Sequence, residues 1–180
     1  MKKILLLILA CSITLSSIGQ DKSTEKNVLK VNTLSLVLGT GSVFYERALS
    51  DNLSAQLGVG YLNYGAGGTR FSGLFLTPEV RFYPKQGAID GMFLAPYLRY
   101  QNYTLKVDAG GKGSLGVFGG GVAVGRQWIT NSGFTMDLFF GGHYGGATLK
   151  AEDETGENIF NVDPFDGFGF RIGFALGFGF

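Results

Sequence analysis

The last fifteen residues, Asp166–Phe180, constrain the fold of this chain more than any other segment. Phe168, Phe170, Ile172, Phe174, Leu176, Phe178 and Phe180 alternate strictly with Gly167, Gly169, Arg171, Gly173, Ala175, Gly177 and Gly179. A period of two sends successive side chains to opposite faces of a strand, so one face is large and apolar and the other nearly bare. A strand of a soluble sandwich would turn the aromatic face to a core and a polar face to water. Here the second face is mostly glycine, with one arginine. That suits the inner side of a narrow barrel whose outer side meets lipid.

The rest of the chain is compatible with that reading. Glycine (30 residues) and phenylalanine (16 residues) are both abundant, while charged residues make up only 16%, an unusual combination for a soluble domain. Mean hydropathy is +0.18, yet beyond the N-terminus no stretch reaches the ~18 consecutive apolar residues of a spanning helix. Apolar residues that are abundant but interleaved are what membrane strands require. A net charge of +1 without any basic cluster argues against a nucleic-acid partner.

The N-terminus carries an export signature. Lys2 and Lys3 precede the apolar run Ile4–Ala10, and Ser17 and Gly19 stand three and one before a cut ahead of Gln20. The expected organisation is therefore a signal peptide at 1–19, a flexible polar leader at 20–27 and a barrel at 28–180. Cys11, the only cysteine, leaves with the signal. A lipoprotein cut at Cys11 would leave an apolar run at the short end of what export uses. Without a thiol the mature chain has no disulfide and no cysteine-based metal site or nucleophile.

Turn-forming residues divide the remainder into eight expected strands: Val28–Val37, Gly41–Leu49, Leu53–Tyr64, Phe71–Tyr83, Met92–Thr104, Ser114–Trp128, Gly133–Ala147 and Asp166–Phe180. The fold class is all-β, an eight-stranded antiparallel up-and-down transmembrane β-barrel. Turn parity supports it. Ser50-Asp51-Asn52 sets inward Glu46 opposite inward Gln56, and the turn Ile129–Ser132 pairs residues summing to 262, Gln127 with Thr135 and Gly125 with Asp137. In the first strand, Leu34 and Leu36 fit better past a bulge. Pro78 and Pro96 each remove a ladder donor, for which a bulge or a water-satisfied carbonyl is expected. An exported N-terminus and an even strand number put both termini in the periplasm. The turn Pro84–Gly91 is then long for its side, and the acidic stretch Leu149–Phe165 falls outside the cell. Tyr64, Tyr100, Tyr103 and Tyr144 would girdle one rim, and Phe82, Trp128, Phe134 and Phe178 the other.

With the apolar faces outward, seven charged residues point inward: Lys30, Glu46, Glu79, Arg81, Arg99, Asp137 and Arg171. An eight-stranded interior is only wide enough to be filled by side chains, and buried charges must pair or cost several kcal/mol each. The expectation is a polar plug with a structural role. The alternative is a narrow pore or a conduit for hydrophobic ligands.

Other motifs carry less. Gly111, Gly113 and Gly116 spell a dinucleotide fingerprint, but Gly119-Gly120-Gly121 disfavours the helix it needs, and the segment reads as a hairpin tip entering a strand. His143, the only histidine, has no serine nearby in sequence to complete a hydrolytic triad, and a lipid A-modifying enzyme is the third reading. The acidic cluster Glu152, Asp153, Glu154, Glu157, Asp163 and Asp166 lacks calcium-loop spacing. No cofactor, metal or catalytic residue is expected. A soluble lipocalin-type barrel would carry its apolar residues inside, so the position of the phenylalanine stripe discriminates it.

The exported leader, the eight-strand pattern and the terminal Phe180 resemble the small OmpA/OmpX-type outer-membrane barrels. The stretches Lys30-Val31-Asn32, Tyr45-Glu46-Arg47-Ala48-Leu49, Pro78-Glu79-Val80-Arg81-Phe82-Tyr83 and Pro96-Tyr97-Leu98-Arg99-Tyr100 resemble an uncharacterised family of such barrels over nearly the whole mature chain. The resemblance implies the outer membrane of a Gram-negative bacterium, with outer-membrane lipid and the barrel-assembly machinery as partners and a monomeric state. It implies an assembly signal in Phe170, Phe174, Phe178 and Phe180. It carries no chemistry over, and no surface partner. It also leads us to expect no peptidoglycan-binding domain after the barrel.

Overall fold

The structure, a computed structural model, describes residues 25–37, 39–66, 68–85, 87–107, 111–151 and 166–180. The expected signal peptide at 1–19, residues 20–24 of the expected leader and the acidic residues 152–165 lie outside the described residues. Eight strands form one closed antiparallel barrel in sequence order. They are β1 (Asn27–Asn32), β2 (Thr40–Ala48), β3 (Leu53–Ala66), β4 (Thr69–Phe82), β5 (Gly91–Val107), β6 (Lys112–Ile129), β7 (Phe134–Ala151) and β8 (Gly167–Gly179). β1 closes the sheet by pairing with both β2 and β8. At the seam the Phe180 backbone N–H donates to Asn27 O at 2.9 Å, and the Asn27 N–H returns a bond of 3.0 Å to Phe180 O. Both described chain ends therefore lie at one rim, the terminal end. The opposite rim is the far end.

The faces fall as the period of two requires. Phe168, Phe170, Ile172, Phe178 and Phe180 are exposed, whereas Arg171 and Ala175 are buried. The same polarity runs round the barrel, with Leu29, Tyr45, Leu57, Leu76, Leu98, Val124, Leu138 and Phe140 outside. A lipocalin-type barrel would have the reverse arrangement.

Four local expectations are corrected. The first strand stops at Asn32 and continues as a short helix, α1 (Thr33–Val37). No bulge is involved: the Asn32 side chain accepts the Ser35 N–H at 3.3 Å, the capping bond that starts a helix, and Gly39 ends the turn at φ +70°. The β6–β7 register sums to 264, pairing Gln127 with Asp137 and Ile129 with Thr135. Gly133, at φ +85°, completes the turn with its N–H bonded to Thr130 O, so pairing resumes two residues away from the 262 register while parity survives. The prolines produce no bulge either. Pro78 stays opposite Leu57 and Pro96 opposite Val122, and the missing bridges all fall in the β4–β5 seam, whose register runs on from Leu76–Tyr100 to Glu79–Tyr97. Tyr103 faces inward and is buried rather than joining a girdle.

The length of the Pro84–Gly91 turn has a structural reason. Asp51 O accepts the N–H groups of Gly87 at 2.8 Å and Ala88 at 2.7 Å, which tucks the turn under the terminal end. Ile89 is thereby fully buried against Val28 and Ile129. It holds φ at +69°, a strained conformation for a β-branched residue that only surrounding contacts can maintain.

The inward glycines are seats for rings. Phe44 lies opposite Gly58, Phe75 opposite Gly60, Phe93 opposite Gly125, Phe139 opposite Gly173 and His143 opposite Gly169. A Cβ on Gly58 would meet the Phe44 ring at 2.7 Å, and one on Gly60 or Gly173 would overlap the ring of Phe75 or Phe139 outright. A ring laid across its cross-strand glycine fills the lumen without widening the barrel. Gly60→Ala should therefore cost about 1–3 kcal/mol through overpacking, measured by urea unfolding in detergent micelles. In a Phe75→Ala background the cost should largely disappear. An equal cost in both backgrounds would contradict the seating.

Candidate functional site

The lumen is organised in layers from the terminal end. The tucked turn comes first, its Ile89 carbonyl accepting the Gln127 side-chain N–H at 2.7 Å. Above it six of the seven inward charges form one connected network. Lys30 Nζ binds Glu46 at 2.6 Å and Asp137 at 2.7 Å, and also donates to the Gln127 side-chain oxygen. Arg81 binds Glu79 at 2.6 Å, Asp137 at 2.8 Å and Glu46 at 3.3 Å. Arg171 extends the chain to Glu79 at 2.6 Å.

Strand alternation explains how distant residues meet. Lys30, Glu46, Glu79, Arg81, Asp137 and Arg171 come from β1, β2, β4, β7 and β8, each on an inward position. Neighbouring hydroxyls complete the coordination, Ser54 donating to Glu46 at 2.5 Å and Tyr83 to the same oxygen at 2.7 Å. Three cations face three carboxylates, so the network is neutral. Arg81 also lies 4.0 Å from the centroid of the Phe93 ring, a contact that partly replaces lost hydration.

An aromatic layer follows. The Arg171 guanidinium sits 4.5 Å from the Phe139 centroid and 4.6 Å from that of Tyr97. Beyond it, toward the far end, lies a cavity of about 330 Å³ whose lining includes Ser42, Thr77, Arg99, Gln101, His143 and Arg171. Arg99 faces inward as expected but does not join the network. It is half-buried, makes no ion pair among the described residues, and rests 4.4 Å from the Phe75 ring centroid. Among the described residues no carboxylate lines this cavity. On the far side of the cavity, buried Tyr103, Leu105, Leu115 and Val117 form an apolar patch on the β5–β6 wall.

The remaining candidates fall into place simply. Gly111 precedes, and Gly113 and Gly116 lie within, a strand rather than before a helix, so the dinucleotide context is absent. Of the assembly-signal residues, Phe170, Phe178 and Phe180 are exposed and Phe174 is half-buried on the same outer face. Among the described residues no group of three or more potential ligands could hold a metal ion. Sequence reasoning missed the cavity, because its lining depends on where β1 stops.

Comparison with known proteins adds a family and a fold. A family described as "Protein of unknown function (DUF3575)" matches residues 4–153. The chain belongs to that family. It takes the fold seen in the crystal structure of a major outer membrane protein from Thermus thermophilus, with a TM-score of 0.52. That similarity covers 88% of this chain and 100% of the other at 14% identity, and it speaks to fold alone. No curated protein matches the sequence.

The network and the arginine outside it should respond differently to substitution. Lys30→Met leaves Glu46 and Asp137 to share Arg81 alone, with one carboxylate charge in the network unbalanced, and should cost about 3–5 kcal/mol. Arg99→Gln breaks no ion pair among the described residues and should cost about 1 kcal/mol, the worth of its hydrogen bond with Tyr103. Equilibrium unfolding of both variants in the same micelles gives the comparison. Equal losses would contradict the division between a neutral network and a cation that stands outside it.

Proposed function

We propose that this protein is an integral outer-membrane barrel of a Gram-negative bacterium, monomeric and non-enzymatic, with an interior packed shut and a structural or surface-interaction role. The observation that carries this reading is the inverted polarity of the closed sheet. Ion pairs fill the inside, while large apolar side chains such as Leu98, Val124, Phe140 and Phe170 are exposed outside. In water that surface would be an aggregation hazard. In a bilayer it is the solvated face.

Placement follows from chain direction. Export of the N-terminus would set the terminal end, with its tight turns, in the periplasm and the far end at the cell surface. A spanning strand needs ~9–11 residues when tilted. β5, β6 and β7, at 17, 18 and 18 residues, would therefore project beyond the bilayer on the outer side. Outward Arg47 and Arg126 lie near the ends of their strands, at the level of periplasmic headgroups. In this reading the barrel-assembly machinery recognises the outer aromatic face at Phe170, Phe174, Phe178 and Phe180, lipid is the principal contact, and no cofactor or nucleic acid is bound.

A pore would need an open lumen through the level of Lys30 and Arg81. Both side chains are fully buried there, and the tucked turn lies beneath them. The protein should fractionate with carbonate-resistant outer membranes and migrate differently on gels before and after boiling. In planar bilayers it should give no stable stepwise current. Recovery in the soluble periplasmic fraction would overturn the membrane assignment, and regular conductance steps would overturn the packed interior.

A further inference from the structure

Among the described residues the lumen holds one more inward positive charge than negative ones. Lys30, Arg81, Arg171 and Arg99 face Glu46, Glu79 and Asp137, and the surplus is at Arg99 beside the cavity. Three residues lining the cavity each bury a polar atom that has no hydrogen-bond partner among the described residues: a terminal nitrogen of Arg171, the Thr77 hydroxyl and His143 Nδ1. Arg171 and Thr77 are 7% and 1% exposed, so neither is freely satisfied by bulk solvent. Buried donors without partners cost about 1–3 kcal/mol each. Two arginines and a threonine lining a space that has no carboxylate among its described lining residues offer the chemistry of an anion site.

The cavity reaches the wall of the barrel. β1 is six residues long, short of the ~9–11 that cross a bilayer. β8 therefore pairs with β1 only from Ala175 to Gly179, whereas it pairs with β7 from Gly167 to Phe178. Among the described residues the half of β8 facing α1 has no strand partner on that side, and it is touched at Phe174, whose carbonyl accepts the Thr33 hydroxyl at 3.0 Å. At this gap the cavity is lined both by inward Arg171 and by its outward neighbours Phe170 and Ile172. A space lined from both faces of one strand passes between the strand and its missing neighbour. Exposed edges do not persist in hydrocarbon unless something covers them.

We propose that this cavity binds the carboxylate of a fatty-acid-type amphiphile taken sideways from the membrane. The head lies between Arg99 and Arg171, and the acyl chain leaves through the gap between β8 and α1 along Phe170 and Ile172. One negative charge matches the surplus of one, and a carboxylate matches the guanidinium fork. At about 330 Å³ the cavity is at the small end of ligand pockets, which run ~300–1,000 Å³, so it takes the head rather than the whole lipid. This inference rests on the membrane placement proposed above.

The test uses the folded full chain in phosphatidylcholine bilayers, with refolding verified by gel mobility. Stearate carrying a nitroxide near the carboxyl should be immobilised in its electron-spin resonance spectrum, and stearate labelled at its methyl end should stay as mobile as bulk lipid. Oleate should displace the probe, while its methyl ester and acetate should each be at least tenfold weaker. Arg99→Gln should weaken binding tenfold or more. Ser35→Trp, which crowds the gap from α1 and changes no charge, should do likewise. Folded barrel with no immobilised probe, binding unaffected by Arg99→Gln, or methyl ester equal to oleate would overturn the site. Acetate equal to oleate would identify a free-anion site and overturn access from the membrane. Failure of the chain to enter bilayers would instead sink the membrane placement, a result distinct from these.

Discussion

A sheet closed on itself at eight strands has a narrow interior, and most of this structure follows from that width. With apolar residues committed to the outside, every charged strand residue on the other parity is forced into a space that side chains must fill. Rings fit only where a glycine lies directly across the ladder, as Phe75 lies over Gly60 and Phe139 over Gly173. Charges fit only in opposed sets. Lys30 and Arg81 therefore share Glu46 and Asp137 rather than forming isolated pairs.

Such a network is not automatically stabilising. Desolvating six charged groups is expensive, and an apolar core of equal volume could be as stable. Its effect here is to fix register and to exclude the alternatives. A slip of one residue in β1, β2, β4, β5, β7 or β8 would turn its inward charge into the outer apolar face. Gln56, inward between Glu46 and Glu79 with neither amide atom bonded to protein, marks the limit of how completely so crowded a core is satisfied.

The sequence made the barrel legible because its signal is local. Alternation along Phe168–Phe180 and the inward parity of Glu46, Asp137 and Arg171 need no knowledge of neighbours. The corrections arose where a single residue alters chain direction. Asn32 caps α1 with its side chain, although Leu34 and Leu36 continue a plausible strand alternation. Gly133 at positive φ moves a register by two residues while leaving parity untouched. The separation of Arg99 from the other six charges depends on strand stagger, which composition and spacing do not encode. The gap beside β8 is a consequence of where β1 ends. The OmpA/OmpX-type resemblance anticipated the architecture, while the family to which the chain belongs supplies no chemistry of its own.

The central claim is that the outer face of this sheet is solvated by lipid and its inner face is packed around paired charges. Nitroxide scanning along β8 of the refolded protein in bilayers measures this directly. Labels at positions 168, 170, 172 and 174 should be accessible to dissolved oxygen and shielded from a water-soluble nickel complex. Labels at 171 and 175 should be shielded from both. A β8 in which the nickel complex reached the phenylalanine face, or in which oxygen accessibility failed to alternate with a period of two, would contradict the account.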